Sequence, residues 1–183
     1  MEFKKTSFED VYVINFSRNE DNRGTFTRMY CKQEFEKIGF DKEFVQINFS
    51  SNLAKGTLRG LHYQKMPYTE SKLIRCIQGK IFDVVVDIRK DSKTFLKYFG
   101  VELSKEKMNA IFIPEGFAHG YQTLEDNSSL IYHHSQYYMP ESDGGIRYND
   151  PFLNIEWPLP AINLSDKDKA YHLIDNTFKP IKT

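Results

Sequence analysis

The sequence predicts a mainly β fold, an antiparallel sandwich or barrel of short strands with a few short peripheral helices. Three observations carry this. Residues 81–88, Ile-Phe-Asp-Val-Val-Val-Asp-Ile, alternate with period two: Phe82, Val84, Val86 and Ile88 share one face, and Ile81, Asp83, Val85 and Asp87 the other. Further strand-like runs at 73–77, 97–103, 109–113, 118–124 and 129–138 recur at roughly ten-residue spacing. Turn signals such as Pro114-Glu115-Gly116 and Glu125-Asp126-Asn127 separate them.

Each element has a local reason. Gln78-Gly79-Lys80, between the runs 73–77 and 81–88, reads as a hairpin turn. On the alternating pattern Leu130, Tyr132, His134, Gln136 and Tyr138 share a face. A helix is expected over 32–38, with Phe35 and Ile38 three apart and Gly39 as its cap. A second should follow Leu164, where Ser165 is an N-cap with Asp168 three residues on. No repeat, low-complexity stretch or linker interrupts the chain, so residues 1–183 read as one domain.

Composition narrows the function. The 25 Lys and Arg balance the 25 Asp and Glu, which argues against a nucleic-acid partner. No apolar run approaches the ~18 residues of a membrane span, and no apolar stretch follows Lys4-Lys5 to make a secretory signal. Two cysteines, Cys31 and Cys76, cannot build a disulfide framework and suit a reducing cytoplasm.

Five histidines are the candidates for chemistry. Pro114-Glu115-Gly116 followed by Phe117-Ala118-His119-Gly120 resembles the second signature of cupin barrels. The first signature, two histidines two apart and then Glu and Gly, reads here as His62-Tyr63-Gln64 with Glu70 and Gly79 downstream. Gln64 is a weak ligand, so a metal-dependent cupin enzyme would have to use His62, Glu70 and His119. The other choice is a metal-free barrel in which His62 is an acid or base.

The surrounding segments resemble one family in detail. These are Gly56-Thr57-Leu58-Arg59-Gly60-Leu61-His62-Tyr63-Gln64, Lys72-Leu73-Ile74-Arg75, residues 82–89, residues 113–120, Asp150-Pro151 with Ile155-Glu156-Trp157-Pro158, and Leu164-Ser165-Asp166-Lys167-Asp168. In this order they are similar to the dTDP-4-dehydrorhamnose 3,5-epimerases. The resemblance implies a cupin-type jelly roll, a homodimer, no metal or other cofactor, and inversion of C3 and C5 of a nucleotide-diphospho-4-keto-6-deoxy sugar. Such a reaction serves deoxysugar and polysaccharide biosynthesis.

C3 and C5 both flank the C4 ketone, so each proton can leave to give an enolate. A base, a donor for the oxyanion and an acid on the opposite face are then required. By resemblance His62 is the base and Asp168 its partner, Lys72 stabilises the enolate, and Tyr132 is the acid. Arg59 and Lys167 are candidates for the diphosphate. Arg23 and Phe26 resemble the segment that packs on the base, and Gln46 and Asn48 its polar readers. His119 and Tyr138 would line the cleft. Two positions depart from the family: Arg28 stands where a glutamate is usual, and Glu70-Ser71 where glutamine and a small residue are usual. An arginine can only donate, and cytosine offers bare acceptors, so Arg28 opens the nucleotide to CDP or GDP as well as dTDP. Whether both C3 and C5 invert or only one is left open by the residues, the alternative being a C3-only or C5-only epimerase acting on a CDP- or GDP-sugar. A sugar-binding barrel without catalysis is a further rival, but binding needs no base opposed by an acid.

Overall fold

The computed structural model describes residues 1–182. The elements run β1 (Glu2–Lys5), β2 (Tyr12–Asn15), β3 (Asn19–Asp21), β4 (Gly24–Phe26), α1 (Lys32–Glu36), β5 (Gln46–Asn52), β6 (Leu58–Gln64), β7 (Lys72–Gln78) and β8 (Lys80–Asp87). They continue with β9 (Tyr98–Ser104), β10 (Asn109–Ile113), β11 (Phe117–Thr123), β12 (Ser128–His134), β13 (Asp143–Gly145) and α2 (Asp166–Ala170). No helix among the described residues is long and apolar enough to cross a membrane.

Two open antiparallel sheets form the body, ordered β1-β2-β10-β7-β12-β5 and β13-β6-β11-β8-β9. Strands from β7 onward pass back and forth between them, which is the jelly-roll pattern expected of a cupin-type fold. The strand order corrects one expectation. Residues 78–80 do not close a hairpin, because β7 and β8 belong to different sheets. Gly79, at φ +71°, turns the chain from one sheet to the other, and a Cβ there would collide with Ser128. The true hairpin is β8–β9, paired from Lys80–Ser104 to Val86–Tyr98.

The apolar residues divide into three layers. Between the sheets lie Ile74 and Cys76 from β7, Ile111 and Ile113 from β10, Leu130 from β12, and Ile81, Val85, Leu103, Phe117 and Tyr121 from the other sheet. Outside the first sheet, Phe35 of α1 and Phe40 seal Ile14, Leu73 and Phe112. Outside the second, Val84, Val86 and Ile88 pack on Leu61, Ile146, Leu153 and Ile181. Thus both faces of β8 are buried, and the acids on its inner face are the anomaly that needs a partner. Asp87 finds Arg89, Ser92 and Thr94, and Asp83 finds His119.

Both expected helices form. The first ends at Glu36, two residues early, and Ile38 and Gly39 continue it as turns bonded to Phe35 and Glu36. The second is capped by Ser165, whose Oγ accepts from the Asp168 amide at 3.0 Å. The strand expected over 129–138 stops at His134, because Val45 and His134 close the β5–β12 ladder and Ser135 turns away to bond Ser71. Gln136 and Tyr138 therefore lie beyond the strand that carries Tyr132.

Candidate active site

Strand register builds a polar wall from residues far apart in sequence. On the inner face of β5–β12–β7, Gln46, His134 and Lys72 lie opposite one another in one row, and Asn48, Tyr132 and Ile74 in the next. From the other sheet, β6 and β11 place His62 opposite His119. The two strands come unusually close here. Gly60, at φ +120°, has Gly120 Cα 2.6 Å from where a Cβ would stand, so only glycine fits. The result is a cavity of about 380 Å³ whose wall includes Arg59, His62, Lys72, His119, Tyr132 and Lys167.

His62 lines this cavity. Its Nε2 bonds Asp168 Oδ1 at 2.6 Å, and Asp168 Oδ2 accepts from the Gly60 amide at 3.3 Å. Burial works to raise the Asp168 pKa, but His62, the Gly60 amide and Ser165 outweigh it and hold the carboxyl below its ordinary value. The ionised carboxylate thus takes Nε2–H, and Nδ1 is left bare as the only basic atom of the ring. The second cap and the dyad are one device: the helix that Ser165 starts is what carries Asp168 to β6.

A second dyad lies beside it. His119 Nε2 donates to the fully buried Asp83 at 2.9 Å. Burial depresses the His119 pKa, with Lys72 and His62 adding to the effect, and Asp83 only partly restores it. Tyr132 packs edge-on against His119, with centroids 6.1 Å apart. Burial, then Tyr121 and the Asp83 carboxylate, lift Tyr132 well above the ordinary 10.0, against the pull of Arg59, so its phenol stays protonated. Lys72 is buried and paired to Glu70 at 3.2 Å. At the cavity mouth Arg59 is steered by Asn52 at 2.8 Å. Lys167 contacts Asp143 at 2.7 Å, and this partner, with Tyr171, keeps it cationic against the cost of burial.

The remaining candidates are distributed unevenly. Asn48 and Tyr138 line the cavity, and Gln46 braces both, donating to Asn48 at 3.1 Å and accepting from the Tyr138 amide at 3.0 Å. Arg23, Phe26 and Arg28 are not part of the wall. Arg23 folds onto Asp21, Arg28 reaches Glu34 at 3.5 Å, and Phe26 is 75% exposed on the isolated β3–β4 hairpin. Sequence reading missed Asp83, Asp143 and the pairing of Glu70 with His134. Asp83 left a signal, an acid on a strand face otherwise filled by aliphatics; Asp143 left none.

The metal-dependent alternative does not assemble. His62 is bonded to Asp168, His119 to Asp83, and Glu70 to Lys72 and His134. No cluster of three or more His, Cys, Asp or Glu among the described residues is arranged to hold an ion. Gln64, in the place of a second histidine, is occupied with Tyr68, Tyr137 and Met139 backbone groups.

The buried neutral histidines give a stability prediction. His119 and His133 are both depressed below 6.5, chiefly by burial. As pH falls through 6.5 the unfolded chain takes up protons that the folded chain refuses, so stability present above that pH is progressively lost. Thermal denaturation should give a lower Tm at about pH 5.5 than at about pH 7.5. An equal or higher Tm at the lower pH would refute neutral burial.

Comparison with known proteins agrees with this geometry. Residues 5–176 match the family model described as dTDP-4-dehydrorhamnose 3,5-epimerase. The chain is 46% identical over 165 residues to the enzyme of that name from Shigella flexneri, covering 90% of this chain and 91% of the relative. It is 44% identical to that of Salmonella typhimurium, covering 93% and 94%. The crystal structure of the Legionella pneumophila dTDP-6-deoxy-D-glucose-3,5-epimerase in complex with dTDP-4-keto-L-rhamnose superposes with a TM-score of 0.93 at 40% identity, covering 100% of this chain and 98% of that one. With its motifs, its jelly roll and its His–Asp dyad in one cavity, the chain belongs to the dTDP-4-dehydrorhamnose 3,5-epimerase family.

Proposed function

We propose that the protein epimerises a dTDP-linked 4-keto-6-deoxy sugar at C3 and C5, through an enolate, as a single domain acting in the cytoplasm. The observation that carries this is the opposition of base and acid. His62 belongs to one sheet and Tyr132 to the other, and both border the same cavity. Bare Nδ1 of His62 takes the C3 or C5 proton, Lys72 donates to the C4 oxygen as it becomes an enolate, and Tyr132 returns a proton to the other face. Arg59 and Lys167, at the mouth, face the diphosphate.

A homodimer completes this reading. Ile47 and Phe49 are 64% and 65% exposed on β5, one of the two edge strands of the six-stranded sheet, and an exposed edge with large apolar side chains is a surface a second chain can cover. The β3–β4 hairpin bonds to neither sheet. Arg23 and Phe26 then serve as base-binding residues for the cavity of the second copy, since they do not line their own. Sedimentation is expected to give twice the 21.5 kDa chain mass, and a monomer at assay concentration would remove this arrangement.

The function is tested in D2O with dTDP-, CDP- and GDP-4-keto-6-deoxyglucose, following deuterium at C3 and C5 by NMR. Entry at both carbons with dTDP preferred is expected. Exchange at one carbon would mark a monoepimerase, a CDP or GDP preference would restore weight to Arg28, and no exchange with any of the three would overturn the epimerase reading.

A further inference from the structure

Glu70 sits in the cavity wall where the family resemblance offers no role for a carboxylate. It is nearly buried, and so are both its partners, with side chains 9–11% exposed. One oxygen, Oε1, meets Lys72 Nζ at 3.2 Å, and the other, Oε2, meets His134 Nδ1 at 2.7 Å. The chain of bonds goes further. Asn48 Nδ2 donates to His134 Nε2 at 3.3 Å, Gln46 donates to Asn48 Oδ1, and the Tyr138 amide donates to Gln46. Finally, the His134 ring lies nearly parallel to Tyr132, at 20° with centroids 6.1 Å apart.

We propose that Glu70 is a positioning residue that ties Lys72 and Tyr132 into one rigid unit through His134. The inference rests on the roles given above to Lys72 and Tyr132. Its logic is donor and acceptor counting. An ammonium can only donate, so Lys72 needs an acceptor at Oε1. Asn48 Nδ2 can only donate, so His134 must accept at Nε2 and carry its proton on Nδ1. That N–H then needs the second acceptor, Oε2. A carboxylate is the one side chain of this size that accepts on both atoms. Glutamine offers one acceptor and one donor, so with Lys72 on the oxygen its amide would face an N–H, and His134 could keep this contact only by moving its proton to Nε2, at the expense of the bond from Asn48.

The unit has two consequences for the reaction. Held at Oε1, Lys72 keeps two N–H bonds free for the substrate's C4 oxygen and cannot swing to another partner. Paired with Glu70, it stabilises the enolate by aimed hydrogen bonds more than by net charge. Held at Oε2, the His134 ring fixes the plane against which Tyr132 rests.

The experiment has two arms. In the first, histidine is 15N-labelled and the imidazole tautomers are read by long-range 1H–15N NMR on the folded protein. Wild type is expected to show His134 protonated on Nδ1, and Glu70→Gln to show it on Nε2. A wild-type proton on Nε2, or no change in Glu70→Gln, would overturn the proposal. This arm needs no substrate, so it decides the unit even if the epimerase reading fails. In the second arm, the deuterium-exchange rate is measured. Glu70→Ala is expected to lower kcat by about 10-fold to 10²-fold with KM little changed, the mark of misplaced groups. Glu70→Ala, His134→Ala and the double variant should be strongly non-additive, since both act on one unit. A wild-type kcat in Glu70→Ala, or strict additivity, would overturn the proposal, whereas loss of exchange in wild type itself would count against the function instead.

Discussion

Replacing His62 by alanine should slow deuterium entry at both C3 and C5 by about 10³-fold to 10⁴-fold, near the upper end of what a general base supplies. The size follows from the geometry. Asp168 holds Nε2–H at 2.6 Å, so Nδ1 is the ring's only free lone pair. The neighbouring His119 is a poor substitute, because its burial disfavours the protonation that a base must undergo. The fold should tolerate the change, since the imidazole is partly exposed in the cavity and supports no core cluster. The measurement is the NMR exchange rate, with the Tm as a control. If His62→Ala exchanged either position at the wild-type rate, a different base would have to be found. If it lost exchange at one carbon only, two bases would be required.

Replacing Asp168 by asparagine should cost about 10²-fold to 10³-fold in kcat while leaving the substrate's KM largely unchanged. Asparagine keeps the shape but can donate where aspartate only accepts. Its Nδ2 can occupy the place of the carboxylate oxygen, which moves the imidazole proton to Nδ1, the atom that must be bare. The charge that stabilises the imidazolium after proton abstraction goes with it. A stability effect accompanies the kinetic one. Asp168 is held below its ordinary pKa when folded, so its contribution exists above the unfolded value near 3.8 and is lost as pH falls below it. The difference in Tm between wild type and Asp168→Asn should therefore be largest near neutral pH and shrink in acid. A constant difference across pH would show that the carboxylate with its imidazole, amide and hydroxyl donors is not what stabilises this junction.

Much of this site could be read before the fold. His62, Lys72, Tyr132, Asp168, Arg59 and Lys167 carried a motif resemblance, and all but the buried Asp168 border one cavity. The face Leu130, Tyr132, His134 followed from period two, because β12 is a regular strand that far. It failed at Gln136 and Tyr138, where the ladder ends and periodicity has no meaning. The turn at 78–80 failed for another reason. A glycine with positive φ turns the chain equally well within a sheet or between two, and the choice depends on which partner β7 and β8 find. The metal alternative needs His62, Glu70 and His119 to converge on one point, which a list of ligand types cannot show, and among the described residues no such cluster is arranged.

Local information, then, determined the mainly β class, the two helices and the Ser165 cap, and the chemical types at the site, since period-two patterning, a capping residue and a motif's residues are all written over a few neighbouring positions. Tertiary structure alone decided the rest. Register brought Gln46, His134 and Lys72 into one row across three strands. Burial made His119 reluctant to charge and Tyr132 reluctant to ionise. The pairing of Glu70 with both Lys72 and His134 joined positions 70, 72 and 134. Those are relations between strands far apart in sequence, and no run of neighbouring residues encodes which donor will meet which acceptor there.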